Sequence, residues 1–217
     1  MNKNERVFCK NNIDYSLYLV TDRTILKEKN LEKAIEEAIL GGVTLVQLRE
    51  KDIDTRNLFE ISKKVKKITD RYNIPLIIND RIDVALAVDA GGVHVGQSDM
   101  PADVVRKIIG DEKIVGVSVG NLKEAKDAKK QGADYLGVGA IFSTSTKKDA
   151  KSVSLDELIK IRANVEIPIV AIGGINQYNV NNLKNTNIDG ISVISAILGR
   201  ENVKKAAEEL KGVLKEF

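Results

Sequence analysis

Short apolar runs alternate with longer amphipathic stretches along most of this chain. From residue 16 onward, eight runs of β-branched and aliphatic residues have the length of strands. The stretches between them have the length and the stop signals of helices, as at 31–40, 55–72 and 121–131. The predicted strands are 17–21, 44–49, 75–79, 92–95, 114–118, 135–139, 169–173 and 190–194.

This alternation implies parallel strands joined by right-handed crossovers. A repeat of roughly 25 residues without a break predicts an α/β fold, a (β/α)8 TIM barrel in a single domain, with a doubly wound open sheet as the alternative. We place the barrel domain at 16–217. Residues 1–15 are polar and irregular, and we treat them as an N-terminal extension.

Strand parity sorts the residues of the second strand by face, because alternate side chains point to opposite sides. Val46 and Leu48 are aliphatic and belong under a helix, whereas Gln47, Arg49 and Lys51 form a polar and basic set. The polar set is therefore predicted to point into the barrel and to climb towards its carboxyl end. There its last two members can reach an anion.

The same parity predicts small inward residues on the fifth and sixth strands. Gly116, Ser118, Gly137 and Gly139 are expected to face inward, and glycines near a strand end leave room for a ligand against the backbone. His94 is the only histidine, and its parity also places it inside the barrel. We interpret it as a hydrogen-bonded filler of a barrel layer, with a catalytic role as the alternative.

Two predicted strands end abruptly in carboxylates, Asp80 and Asp99. The carboxyl ends of neighbouring strands are where a parallel α/β fold keeps its chemistry. Two carboxylates there suit Mg2+, which is usually held by one or two carboxylates plus substrate phosphates. The alternative is helix capping, because an Asp between a strand and a helix is a good N-cap. Pro101, two residues after Asp99, suits a first helical position.

Three predicted loops at the same end of the barrel have the composition of phosphate sites. The loop at 142–149 is rich in hydroxyls and lysines and can wrap a phosphate, although such loops are often simply solvated. Gly173-Gly174 and Ile194-Ser195 follow strands seven and eight, whose loops frequently bind phosphate through backbone N–H groups. A lone glycine pair is otherwise an ordinary turn.

Composition narrows the function classes. Hydrophobic residues make up 43% and charged residues 30%, as in an ordinary globular protein, and a formal net charge of +3 is too small to indicate nucleic acid. Cys9 is the only cysteine, so no intrachain disulfide is possible. No apolar run is long enough to span a membrane. We therefore expect a cytoplasmic enzyme of small phosphorylated molecules, with no nucleic-acid or membrane partner; its oligomeric state stays open.

The chain resembles the thiamine phosphate synthase family from Tyr18 to Leu198. The resemblance is carried by ordered motifs: Tyr18-Leu-Val-Thr-Asp22, Gln47-Leu-Arg-Glu-Lys51, Ile78-Asn-Asp80, His94-Val-Gly-Gln97 through Asp99, Gly116-Val-Ser118, Thr144-Ser-Thr-Lys-Lys-Asp149, Ile172-Gly-Gly-Ile175 and Ile194-Ser195.

The resemblance implies a barrel that joins 4-amino-5-hydroxymethyl-2-methylpyrimidine diphosphate to a thiazole phosphate, or its carboxylated form, giving thiamine phosphate and pyrophosphate with Mg2+. It implies that the metal is held by Asp80 and Asp99. Catalytic roles fall on Arg49, Lys51, Lys147 and Ser118. The implied contacts to the pyrimidine diphosphate are Gln47, Leu48, Arg49, Glu50, Lys51, Asn79, Ser118 and Lys147. Those to the thiazole phosphate are Thr144, Ser145, Thr146, Gly174, Ile194 and Ser195.

One position departs from the family pattern. Ser145 stands where the family loop usually has proline, and losing a proline frees a backbone torsion and should make the loop more mobile. The residues support dissociative displacement without a covalent nucleophile, since we expect no serine or cysteine paired with a histidine. Two rivals remain: a related thiazole tautomerase, and a non-enzymatic barrel that senses or carries thiamine precursors.

Overall fold

The computed structural model describes residues 10–144, 152–215 and 217. Within them, eight parallel strands close into a barrel in chain order, with the first strand beside the last. The predicted barrel is confirmed, and the open-sheet alternative is wrong. The strands are β1 Leu17–Val20, β2 Leu45–Leu48, β3 Leu76–Asn79, β4 Gly92–Val95, β5 Ile114–Val119, β6 Tyr135–Val138, β7 Ile169–Ile172 and β8 Gly190–Val193.

The helices surround this barrel, and the three whose bounds were predicted lie within a residue of the expected positions. They are α1 Arg23–Leu26, α2 Leu31–Leu40, α3 Thr55–Arg71, α4 Ile82–Ala87, α5 Ala102–Ile109, α6 Leu122–Lys130, α7 Leu155–Asn164, α8 Ser195–Leu198 and α9 Val203–Leu214. Among the described residues, no helix is long and apolar enough to cross a membrane.

The connection between β7 and β8 departs from the predicted rhythm. It holds only a short 3-10 helix, Val180–Leu183, in place of an α-helix. The segment is rich in asparagine, whose side chain competes for backbone hydrogen bonds and favours turns over helix interiors.

Two apolar layers lie on opposite sides of the sheet, as parity predicted. Val46 and Leu48 belong to the large cluster between strands and helices. Gln47 lies inside the barrel, where its Nε2 donates to the Tyr18 hydroxyl at 2.7 Å. The side chain of Leu48 lies under the helices, so only its backbone could contact a ligand in the barrel mouth, and its assignment to the substrate set stays a prediction. Tyr15, from the predicted extension, packs with the interior cluster.

Side-chain caps fix where many of the helices begin. Asn30, Asp54, Asn121 and Ser154 each accept a hydrogen bond from the backbone N–H three residues on, which satisfies a donor that the first turn would leave unpaired. Helices α4 and α5 begin without such a cap. The residues before these two helices are therefore available for another role.

Candidate active site

Asp80 and Asp99 meet at the carboxyl ends of β3 and β4. The Asp80 carboxylate lies close enough to that of Asp99 to raise its pKa, and it accepts from Asn79 Nδ2 at 2.6 Å, while the Gly96 N–H donates to Asp99 Oδ2 at 2.7 Å. Neither carboxylate caps a helix, since the N-cap residues of α4 and α5 are Arg81 and Pro101 and neither helix has a side-chain cap. The capping alternative is therefore wrong.

The two carboxylates of this pair repel each other. Burial and then the Asp99 carboxylate raise the pKa of Asp80 from 3.8 to about 6, and the Lys51 ammonium and the Asn79 amide only partly offset them. Asp80 also has a φ of +59°, in the left-handed region that few residues other than glycine adopt. Like-charge repulsion and a residue with positive φ at the end of a strand are both found more often at ligand-binding and active sites than elsewhere.

Two carboxylates fit a magnesium ion that is completed by substrate. Within residues 10–144 and 152–215, no cluster of three or more His, Cys, Asp or Glu side chains could hold a metal alone. Mg2+ is commonly held by one or two protein carboxylates plus substrate phosphates. The donor chemistry of Asp80 and Asp99 thus fits the predicted ion, and a cation would relieve their repulsion.

The raised pKa gives the first prediction. Below the unfolded value of 3.8 Asp80 is protonated in both states, and between 3.8 and about 6 only the folded protein keeps the proton. This group therefore stabilises the fold at acid pH, and its contribution is lost as pH rises to about 6. In thermal melts with a chelator, the melting temperature of Asp80→Asn minus that of the natural protein should increase from pH 4 to about 6 and then level off.

A control with the opposite sign comes from Asp54, whose pKa is lowered by hydrogen bonds from Asn57. The stability that Asp54 contributes is present above its unfolded value and is lost as pH falls. The melting temperature of the natural protein should therefore exceed that of Asp54→Ala by less as the pH falls. A flat Asp80→Asn difference across the same range would show that the two carboxylates do not share a proton.

Arg49 lies at the barrel mouth in an ion pair that the sequence reasoning missed. Its Nη1 donates to Asp22 Oδ2 at 2.9 Å, and its backbone N–H donates to Thr21 Oγ1 at 2.9 Å. Asp22 also accepts from the backbone N–H groups of Thr24 and Ile25, which caps α1. The only sequence signal was the position of Asp22 at the end of the first strand.

The neighbouring members of the basic run have different surroundings. Glu50 accepts two hydrogen bonds from Arg23, at 2.9 and 3.1 Å, and its side chain is only 5% exposed. Lys51 is exposed and close enough to Asp80 to lower its pKa. Asn79 follows Ile78 at the tip of β3 and is held against Asp80.

The inward glycines correct another expectation. A Cβ on Gly116 would lie 2.2 Å from Tyr135 Cζ, and one on Gly137 would lie 3.1 Å from His94 Cε1. A Cβ on Gly139 would meet the Ile172 carbonyl oxygen at 2.1 Å. The space these glycines leave is thus filled by the protein itself and not by a ligand.

His94 is interior and hydrogen-bonded, as predicted, but it is also paired with a serine. Its Nδ1 lies 2.8 Å from the Tyr135 hydroxyl and its Nε2 lies 2.8 Å from Ser118 Oγ. The expectation that no serine pairs with a histidine is wrong. The reason is that both residues face inward from neighbouring strands.

The loops after β6 and β7 are joined along their backbones. The Ile141 N–H donates to the Ile172 carbonyl at 2.9 Å, and the Phe142 N–H to the Gly173 carbonyl at 3.0 Å. Gly174 has a φ of +65°, and a Cβ there would lie 2.4 Å from the Ser143 carbonyl oxygen, so this close approach requires glycine.

The predicted thiazole phosphate contacts are only partly described. Ile194 immediately precedes α8, and Ser195 is exposed in its first turn. Thr144 is half-buried at the last described position of its loop. Ser145, Thr146 and Lys147 lie outside the described residues.

A closed barrel with carboxylates and cationic side chains at the carboxyl end of its strands defines an enzyme of the (β/α)8-barrel class. A family model described as thiamine monophosphate synthase matches residues 17–197. The chain belongs to the thiamine monophosphate synthase family.

Individual relatives agree with this assignment. The chain is 63% identical over 205 residues to a thiamine-phosphate synthase of Clostridium tetani, covering 94% of this chain and 98% of that protein. It is 60% identical over 202 residues to one of Clostridium beijerinckii, covering 93% and 97%. A solved structure of thiamine phosphate pyrophosphorylase from Pyrococcus furiosus matches with a TM-score of 0.87 and 45% identity, covering 94% of this chain and 96% of that one.

Proposed function

We propose that the cluster at the carboxyl end of the barrel binds the pyrimidine diphosphate with Mg2+ and couples it to thiazole phosphate. The overall reaction is that of the family, the synthesis of thiamine phosphate by a transferase that releases pyrophosphate. The observation that carries the residue assignment is the meeting of Asp80 and Asp99 beside Lys51, with neither carboxylate used as a helix cap.

The diphosphate side of the site combines opposite charges. Asp80 and Asp99 would hold the metal, while Arg49, Lys51 and Lys147 supply cations. When bound, Mg2+ would add charge neutralisation of the diphosphate oxygens. A guanidinium fork matches phosphate geometry, and Arg49 is already held at the mouth through one nitrogen by Asp22. Gln47, Glu50, Asn79 and Ser118 complete this side of the proposal.

The reaction proceeds by dissociative displacement. The bond between the pyrimidine methylene carbon and the diphosphate oxygen breaks, and its electron pair leaves with pyrophosphate. Arg49 and Lys51 stabilise the negative charge that develops on the pyrophosphate. Preorganised positive charges stabilise such a charge most strongly in a site from which water is excluded. The aminopyrimidine ring delocalises the positive charge left on the methylene.

The thiazole nitrogen then donates its lone pair to this methylene and forms the new carbon–nitrogen bond. Thr144, Ser145, Thr146, Gly174, Ile194 and Ser195 hold the thiazole phosphate so that the nitrogen faces the carbon. Holding two reactants in place in this way removes much of the entropic cost that raises the barrier of a bimolecular step. The protein supplies position and charge, and it forms no covalent bond to either substrate. A cytoplasmic location stays a prediction.

The coupling assay separates this proposal from its rivals. Pyrophosphate should be released only when the pyrimidine diphosphate, the thiazole phosphate and Mg2+ are all present, with thiamine phosphate formed in equal amount. A tautomerase would convert a thiazole substrate without releasing pyrophosphate. A carrier would bind both precursors and release none. Release of pyrophosphate in the presence of a chelator would contradict the metal assignment alone.

A further inference from the structure

A chain of four hydrogen bonds crosses the barrel interior and ends at Ser118. Gln47 Nε2 lies 2.7 Å from the Tyr18 hydroxyl, which lies 2.8 Å from the Tyr135 hydroxyl. Tyr135 is 2.8 Å from His94 Nδ1, and His94 Nε2 is 2.8 Å from Ser118 Oγ. Five side chains from five different strands thus form one connected path.

The two tyrosines keep their protons. Burial raises the pKa of Tyr18 and raises that of Tyr135 well above its usual value. Each hydroxyl in the path therefore has one hydrogen to donate. Because a buried donor without an acceptor is costly, the hydrogens must be arranged so that each one is used.

With the amide nitrogen of Gln47 facing Tyr18, one proton order satisfies the four hydrogen bonds of this path. An amide Nε2 only donates, so Tyr18 accepts from Gln47 and must give its own hydrogen to Tyr135. Tyr135 then donates to His94 Nδ1, which must be unprotonated. The imidazole proton is left on Nε2, where it is donated to Ser118 Oγ.

We propose that His94 and Tyr135 are positioning residues that turn the Ser118 hydroxyl into a donor aimed at the substrate. An oxygen that already accepts from His94 directs its own hydrogen elsewhere, and in the proposed site the acceptor is a diphosphate oxygen. The same order denies Ser118 a general base, since a protonated Nε2 cannot remove its hydrogen. The paired serine and histidine thus serve binding and orientation, not nucleophilic attack. This inference rests on the proposed function for its substrate.

Glycines make the path possible. Any side chain on Gly116 would occupy the position of the Tyr135 ring, and a Cβ on Gly137 would crowd the imidazole. The rings of His94 and Tyr135 are tilted by 40° with centroids 5.5 Å apart, which brings the hydroxyl to Nδ1. The path is therefore built by several strands at once.

The single histidine makes the proton order directly measurable. A proton–nitrogen correlation spectrum of the full chain with labelled histidine should show neutral imidazole protonated at Nε2, without substrate and at neutral pH. Protonation at Nδ1, or at both nitrogens, would reverse the path and overturn the proposal. This measurement uses the natural protein and does not depend on coupling activity, so it stands or fails separately from the proposed reaction.

A mutant cycle then tests the functional link. Tyr135→Phe should lower kcat roughly ten-fold, the effect of about one hydrogen bond, and should allow both imidazole tautomers to appear. In a Ser118→Ala background it should have no further effect on kcat, because its influence passes through that hydroxyl. An equal loss of kcat in both backgrounds would mean that Tyr135 does not act through Ser118, and the proposal would be wrong.

Tyr15→Phe is the matched control. Tyr15 packs on the Tyr135 ring with centroids 5.0 Å apart, yet its hydroxyl lies outside the path. Removing that hydroxyl should leave both the histidine spectrum and kcat unchanged. A change in the histidine spectrum of Tyr15→Phe equal to that of Tyr135→Phe would assign the effect to packing and contradict the proposal.

Discussion

Replacing either Asp80 or Asp99 by alanine should lower the coupling rate at least roughly a hundred-fold, since charge stabilisation by a bound metal is worth several kcal/mol. Asp80 and Asp99 lie beside each other and would hold one ion, so each replacement removes the same unit. Losses from residues that act as a unit do not add. The double variant should lose scarcely more activity than the worse single one.

Coupling rate and melting temperature, measured across a Mg2+ titration, test this expectation. The single variants should need more Mg2+ or lose their response to it. Without Mg2+ and at neutral pH, Asp80→Ala should melt no lower than the natural protein, because it removes like-charge repulsion. Additive activity losses with an unchanged Mg2+ requirement would show that the two carboxylates act independently. In that case neither would be a metal ligand.

Arg49→Ala should lower kcat/KM roughly a hundred-fold, about 3 kcal/mol, because a charge-assisted hydrogen bond to phosphate is lost. The protein should stay folded at the assay temperature, since Asp22 keeps two backbone donors when Arg49 is gone. Arg49→Lys retains a charge beside Asp22 but lacks the planar fork. The kcat/KM of Arg49→Lys should therefore lie between those of the natural protein and of Arg49→Ala.

Arg71→Ala is a suitable comparison. Arg71 donates to Glu36 at 2.7 Å on the helical surface and is 56% exposed, so its removal should change stability by less than about 1 kcal/mol and leave coupling intact. If Arg49→Ala unfolds the protein while Arg49→Lys is fully active, the pair with Asp22 is structural. The assignment of Arg49 to the diphosphate would then be wrong.

Strand parity and strand ends predicted much of this architecture. Gln47 and His94 lie inside the barrel, and Asp80 and Asp99 meet at one end, because period-two alternation and parallel strand order determine both. These features follow from local pattern once the barrel is assumed. The metal and substrate roles stay predictions.

What the sequence could not predict depends on which strands become neighbours and at what register. The pairing of Arg49 with Asp22 joins the ends of β1 and β2, and no spacing along the chain encodes it. The Tyr135 ring fills the space beside Gly116 because those two residues are in register across β5 and β6. A glycine in a sequence indicates room, but only the neighbouring strand decides what occupies it.

The β1–β8 seam has a consequence for the order in which this protein folds. Every other strand pairs with its neighbour in sequence, whereas Leu17 pairs with Ile191. Closing so long a loop carries the largest entropy cost of any strand pairing, so the ring should be completed late. Asp22 follows one side of this seam and Ser195 the other. A folding intermediate with seven of the eight strand pairings formed and the seam open would therefore have a hydrophobic core but no complete catalytic mouth.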